Sequence, residues 1–179
     1  PIQLPVGKEK NFEGMVDLIK MKAIIFTHDD DKSGSEYEER EIPENLMEEA
    51  ALYREMMLEG IADKVDWFMD KYLSESAFSE EEIVSALREG TIKSGLMPVL
   101  CGSAFKNRGV QQLLDAVCDY LPSPLDIPPV KGINVKDDTE TERKPTADDH
   151  LSALAFKIAS DKHGDLTYLR IYSGTLTSG

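Results

Sequence analysis

The chain is poor in the residues from which metal and redox centres are built. Its 179 residues include two cysteines, Cys101 and Cys118, and three histidines, His28, His150 and His163. The cysteines form no Cys-x-x-Cys and have no close partner, so a reduced, cytoplasmic setting is expected. The histidines fall in separate polar stretches without i, i+4 spacing, which argues against a zinc site. Basic residues are also scarce, with 20 Lys and Arg against 34 Asp and Glu, for a formal charge of −14. A surface that displaces counterions from phosphates has to be basic, so general nucleic-acid binding, and direct DNA binding with it, is not expected. A protein partner with a positive surface stays open. No apolar run nears the roughly 20 residues that span a bilayer, so no membrane role is expected. Gly-x-x-x-x-Gly-Lys-[Ser/Thr], Asn-Lys-x-Asp and Gly-x-Ser-x-Gly are all missing from the sequence. No pair of its many carboxylates stands out as a general acid and base.

What remains is ordinary globular material, 30% charged and 41% apolar, enough to bury a core in one domain or parts of two. The start on Pro1 and the stop straight after a strand-like run lead us to expect a piece of a larger protein.

One stretch, residues 97–122, organises the rest. Val99, Leu100 and Cys101 make a short apolar run of the kind that fills a buried strand. Gly102, Ser103 and Ala104 are small and let the backbone come close to something bound at the strand's end. After Lys106-Asn107-Arg108-Gly109, the apolar positions Val110, Leu113, Leu114, Val117 and Leu121 repeat as the stripe of a helix lying on a sheet. Pro122 stops that helix. Strand, small-residue turn and amphipathic helix together form the ligand-binding corner of an open α/β sheet.

Upstream, Ile2, Leu4 and Val6 alternate as in an edge strand, and Lys8-Glu9-Lys10-Asn11 is a polar turn. The runs Met15 to Ile19 and Met21 to Phe26 read as two antiparallel strands. Asp29, Asp31, Ser33 and Gly34 fall at positions 1, 3, 5 and 6 of a calcium loop, but Arg40 stands where the bidentate Glu belongs. A solvated hairpin tip is the better reading, with Tyr37 to Ile42 as the returning edge strand.

Pro43 and Glu44 open the longest helical pattern. Leu46, Ala50, Tyr53 and Met57 line one face, and Glu48, Glu55, Glu59 and Asp63 line another. Gly60 is expected to mark a break before a second segment carrying Ile61, Val65, Trp67, Phe68, Tyr72 and Leu73. Met47, Met56, Met57 and Met69 read as core filler. Ser79 with Glu82 forms a capping box for a helix ending near Gly95. Beyond Pro122, Pro124, Pro128 and Pro129 stiffen a linker, and the charged run from Val135 to Asp149 reads as a mobile loop. Ser152 to Ile158 and Leu166 to Tyr172 read as a hairpin turning near Gly164.

Three ordered stretches resemble bacterial elongation factor G. They are Gln3-Leu4-Pro5-Val6-Gly7 with Phe12-Glu13-Gly14-Met15-Val16-Asp17-Leu18, then Gly102-Ser103-Ala104-Phe105-Lys106-Asn107 with Leu121-Pro122-Ser123-Pro124, then Ala155-Phe156-Lys157-Ile158 with Leu166 to Gly174. The resemblance implies a mixed α+β and α/β fold. Residues 1–96 would be the inserted subdomain of the GTPase domain, a small antiparallel sheet with helices. Residues 97–122 would be the last strand and helix of the P-loop GTPase domain, 123–149 a linker and loop, and 150–179 the first hairpin of a β-barrel. It implies a parent that binds GTP or GDP with Mg²⁺ and hydrolyses GTP to drive tRNA and mRNA movement on the ribosome. It also implies that Ser103, Ala104 and Phe105 contact the guanine base, with the Ala104 N–H on O6 and Ser103 bracing the loop. By the same resemblance the helix opening at Pro43 meets the stalk protein of the large ribosomal subunit, through Glu48, Glu55, Glu59 and Asp63.

The family's phosphate loop, its Asn-Lys-x-Asp and its switch segments have no counterpart here. The chain alone is therefore expected to bind no nucleotide or metal and to be inactive, and its unpaired strands are expected to self-associate. The competing reading is a stand-alone acidic interaction module with a GTPase-like strand-turn-helix.

Overall fold

A computed structural model describes residues 1–27, 36–162 and 164–178. His28, the calcium-like run with its hairpin tip, and His163 lie outside the described residues. The chain divides into two compact units, Pro1–Leu121 and Pro122–Gly179.

The first unit is built on a four-stranded antiparallel sheet of β1 (Gln3–Val6), β2 (Gly14–Asp17), β3 (Lys22–Phe26) and β4 (Tyr37–Arg40), in that spatial order. Leu4 faces Val16 and Met15 faces Ile24 in its register. A strand's side chains alternate between faces, and here both faces of β2 are covered. Val16 joins the main core, while Met15 joins a small cluster with Phe12, Ile24 and Phe26. β4 is exposed throughout, as an edge strand reading Tyr-Glu-Glu-Arg should be.

Four helices follow, α1 (Glu44–Ala62), α2 (Asp66–Leu73), α3 (Glu80–Ser94) and α4 (Val110–Tyr120). α1 buries Ala50, Met57, Leu58, Ile61 and Ala62. Arg54 pins it to the β2–β3 turn by donating from Nη1 to the carbonyls of Leu18 and Ile19. The expected break at Gly60 does not occur. The helix runs through to Ala62 and Asp63 N still bonds Glu59 O at 3.0 Å. Burial of Ile61 and Ala62 outweighs the roughly 1 kcal/mol that glycine costs inside a helix. The methionines also divide, with Met57 buried and Met69 packed on the core but Met47 and Met56 exposed. Neighbouring helical residues point about 100° apart, so Met56 and Met57 cannot share a face. The Phe68 and Phe78 rings stack at 4.1 Å and hold α2 against the entry to α3.

Residues 97–121 complete this first unit. Val99, Leu100 and Cys101, expected as a strand, form none. They run extended beside β1, with Ile2 N donating to Val99 O at 2.9 Å. A strand needs a ladder of partners, and among the described residues only this bond and a Cys101 N–H bond to the Gln3 side chain reach it. α4 is a helix as expected, but Leu113, Leu114, Val117 and Leu121 of its stripe are exposed. It packs instead through Ala116 and Tyr120, and Arg88 of α3 donates to the carbonyls of Cys118, Asp119 and Leu121 at its end.

The second unit holds two hairpins. β5 (Val130–Ile133) pairs with β6 (Glu140–Arg143), and β7 (Ser152–Asp161) pairs with β8 (Gly164–Ser173). β6 falls inside the run expected to be a mobile loop. Local side-chain bonds account for it, since Asn134 accepts from Lys136 N and Asp137 from Thr139 N to close the turn. Asp149 similarly accepts from Lys144 N at 2.9 Å and His150 N at 2.7 Å.

Candidate functional site

The loop between the extended segment and α4 folds back on itself. Ser103 N donates to Arg108 O at 2.8 Å and Arg108 N returns to Ser103 O at 3.0 Å, an isolated antiparallel pair. Inside it Asn107 N reaches Ala104 O at 3.1 Å, and Lys106 N reaches Ser103 Oγ at 3.4 Å. The Ser103 hydroxyl thus braces the turn from within. Gly109 closes the loop at φ +84°, where an added Cβ would stand 3.0 Å from Cys101 O and from the Met15 side chain. Only glycine meets both demands at once.

Of the three residues singled out in the sequence, the loop presents two to solvent. Ala104 is exposed and Phe105 is 88% exposed, while Ser103 is half-buried. Among the described residues the Ala104 N–H has no acceptor. An exposed donor on a small residue, with Gly102 and Ser103 before it, suits a carbonyl acceptor. Next to it lies a shallow, open depression of about 220 Å³, floored by Leu100, Val110 and Leu113. Cys101 also lines it, and burial pushes its thiol up to about 11, which disfavours the thiolate.

The residue that holds this loop down is one that sequence reasoning misses. Arg108 sits in what reads as a polar turn, yet it is only 4% exposed. Its Nη1 donates to Phe12 O at 2.5 Å, and its guanidinium lies 5.8 Å from the Phe26 ring centroid. Lys106 Nζ adds a bond to Lys10 O at 3.1 Å. Nothing in a Lys-Asn-Arg-Gly string distinguishes a buried arginine from a solvated one.

On α1, Glu48, Glu55, Glu59 and Asp63 are all exposed. They are not alike, however. Tyr72 Oη donates to Glu55 Oε1 at 2.6 Å, and this bond is the main reason the Tyr72 phenol is pushed up to about 12. Leu52 and Met56, both exposed, lie in the same arc of the helix. The face is therefore mixed acidic and apolar, not a plain acidic row. Among the described residues no cluster of His, Cys, Asp and Glu could hold a metal ion, and no helix is long and apolar enough to cross a membrane.

No family profile matches the chain. Over 180 aligned residues covering its whole length, it is 53% identical to elongation factor G of Thermotoga neapolitana and equally to those of Thermotoga maritima and Thermotoga petrophila. The chain spans about a quarter of these relatives, 26% of their length. A crystal structure from Thermus thermophilus superposes with a TM-score of 0.69 at 26% identity, over 97% of this chain and 23% of that one. Small antiparallel sheets with four helices are thus shared, at this identity, with a segment of proteins named elongation factor G. Along its whole length the chain matches one segment of elongation factor G.

Proposed function

We propose that this segment supplies the last guanine-contacting loop, and a protein-docking subdomain, to a translational GTPase that moves tRNA and mRNA through the ribosome. The observation that carries the reading is the exposed Ala104 N–H, lacking an acceptor on a loop whose small residues admit a planar ring. Ala104 would donate to the guanine O6 and Ser103 would hold the turn that aims it. Phosphate chemistry and Mg²⁺ would have to come from residues beyond these. GTP supplies the reacting phosphoryl group when bound, and this chain contributes recognition of the base. Placed in the longer protein, Ala104→Pro removes one donor and should weaken GDP binding about tenfold, as expected for one hydrogen bond. Unchanged affinity would sink the assignment.

A second reading concerns the outward face of α1. Exposed carboxylates beside exposed Leu52 and Met56 suit a basic partner with an apolar centre, and the partner we propose is the ribosomal stalk protein. Glu55 is engaged with Tyr72, so Glu48 and Glu59 are the cleaner probes. Reversing both to Lys should slow stalk-protein association most at low salt and leave the melting temperature unchanged. An unchanged association rate at low salt would reduce the acids to solvation.

A further inference from the structure

The base loop is not free-standing, and its anchor lies outside itself. The loop's two ends are joined by the Ser103–Arg108 backbone pair. The Arg108 side chain carries that pair onto the sheet, through the Phe12 carbonyl before β2 and the Phe26 ring at the end of β3. The contact is desolvated, since Arg108, Phe12 and Phe26 are all buried. Gly109 adds a backbone approach to Met15 of the same cluster. A buried guanidinium bonded to a carbonyl is held more firmly than an exposed one, and its planar fork stacks where an ammonium cannot.

We propose that Arg108 is a positioning residue for base recognition, setting the direction of the Ala104 N–H by locking the loop to the β2–β3 sheet. The idea rests on the guanine assignment above and adds to it a route by which the sheet and the base loop move as one body. Arg108 touches no ligand in this scheme. It acts through the backbone pair it shares with Ser103, one residue from the donor.

The test uses the longer protein with GDP and 6-thio-GDP, in which the O6 acceptor is replaced by a poorer sulfur acceptor. Wild type should prefer GDP. Arg108→Met should speed GDP dissociation roughly tenfold, as loss of a charge-assisted bond allows, and should narrow the preference for GDP over 6-thio-GDP. Arg108→Lys, which keeps a donor for Phe12 O, should recover part of both effects. If Arg108→Met weakens both nucleotides equally, the residue only supports the fold and the proposal is overturned. If Arg108→Met changes nothing while Ala104→Pro weakens GDP, the proposal fails and the guanine assignment stands. If Ala104→Pro changes nothing either, the assignment itself is wrong and the proposal falls with it.

Discussion

Two tyrosines are held far from their usual ionisation, for different physical reasons. Tyr72 is raised from 10 to about 12 chiefly by its bond to Glu55, and Tyr120 to about 12 by burial, with Asp119 and Asp17 adding to it. A phenol whose folded value lies above its unfolded one stabilises fully below pH 10, and that contribution is lost as pH rises toward about 12. Absorbance titration should find Tyr72 and Tyr120 ionising late. Glu55→Gln should return Tyr72 toward 10 and leave Tyr120 late. If both stay late, the Glu55 bond is not the cause. Such pairings are invisible in sequence, because Glu55 and Tyr72 belong to different helices and meet only once α1 and α2 pack. Arg108 is the same case, its partners Phe12 and Phe26 being far upstream. Ser103 and Gly109 are easier to read, because a small-residue turn advertises its own geometry.

At the scale of elements, features written in short stretches are directly legible. The α3 start is one of these. Ser79 Oγ accepts from Glu82 N at 3.2 Å, and Ser79 N donates to Glu82 Oε2 at 2.8 Å. The C-cap is Gly95 in the left-handed region at φ 71°. Glu82 also takes a bond from Lys71 of α2, which with the Ser79 N–H holds its carboxyl below the usual range. Ser79→Ala should cost about 1 kcal/mol in urea unfolding, the usual worth of such a cap. No change would mean that Glu82 and Lys71 hold the helix end without it. A carboxyl held low stabilises above its unfolded value near 4.5, so this link should weaken as pH falls through and below it. Elements that depend on distant partners are less legible. The apolar composition of Val99, Leu100 and Cys101 suits a strand, but a strand exists only where a ladder does. The α4 stripe is likewise real as a pattern and wrong as a contact, since Ala116 and Tyr120 make the packing face.

For the whole molecule, the balance of buried and exposed apolar surface differs between the two units. The first has a core from Ile2 to Tyr120 with fully buried Phe68, Leu18 and Ile83. In the second, Leu154, Phe156, Ile158, Leu166, Leu169 and Ile171 of the β7–β8 hairpin are all exposed. A two-stranded hairpin is marginal in water and its open edges offer unpaired backbone groups to any neighbour. The exposed stripe of α4 makes a second candidate surface, without an edge. Association through the hairpin should therefore dominate, and the isolated chain should sediment as a concentration-dependent mixture at µM to mM protein. Leu154→Lys with Ile158→Lys puts charges on the exposed hairpin and should return the chain to a monomer. Leu113→Lys with Leu114→Lys should leave the mixture largely intact, because a helix has no unpaired backbone edge to donate. If the α4 pair and not the hairpin pair abolishes association, apolar area and not strand pairing drives it. A wild-type chain that stays monomeric through this range would show that the hairpin protects its own edges.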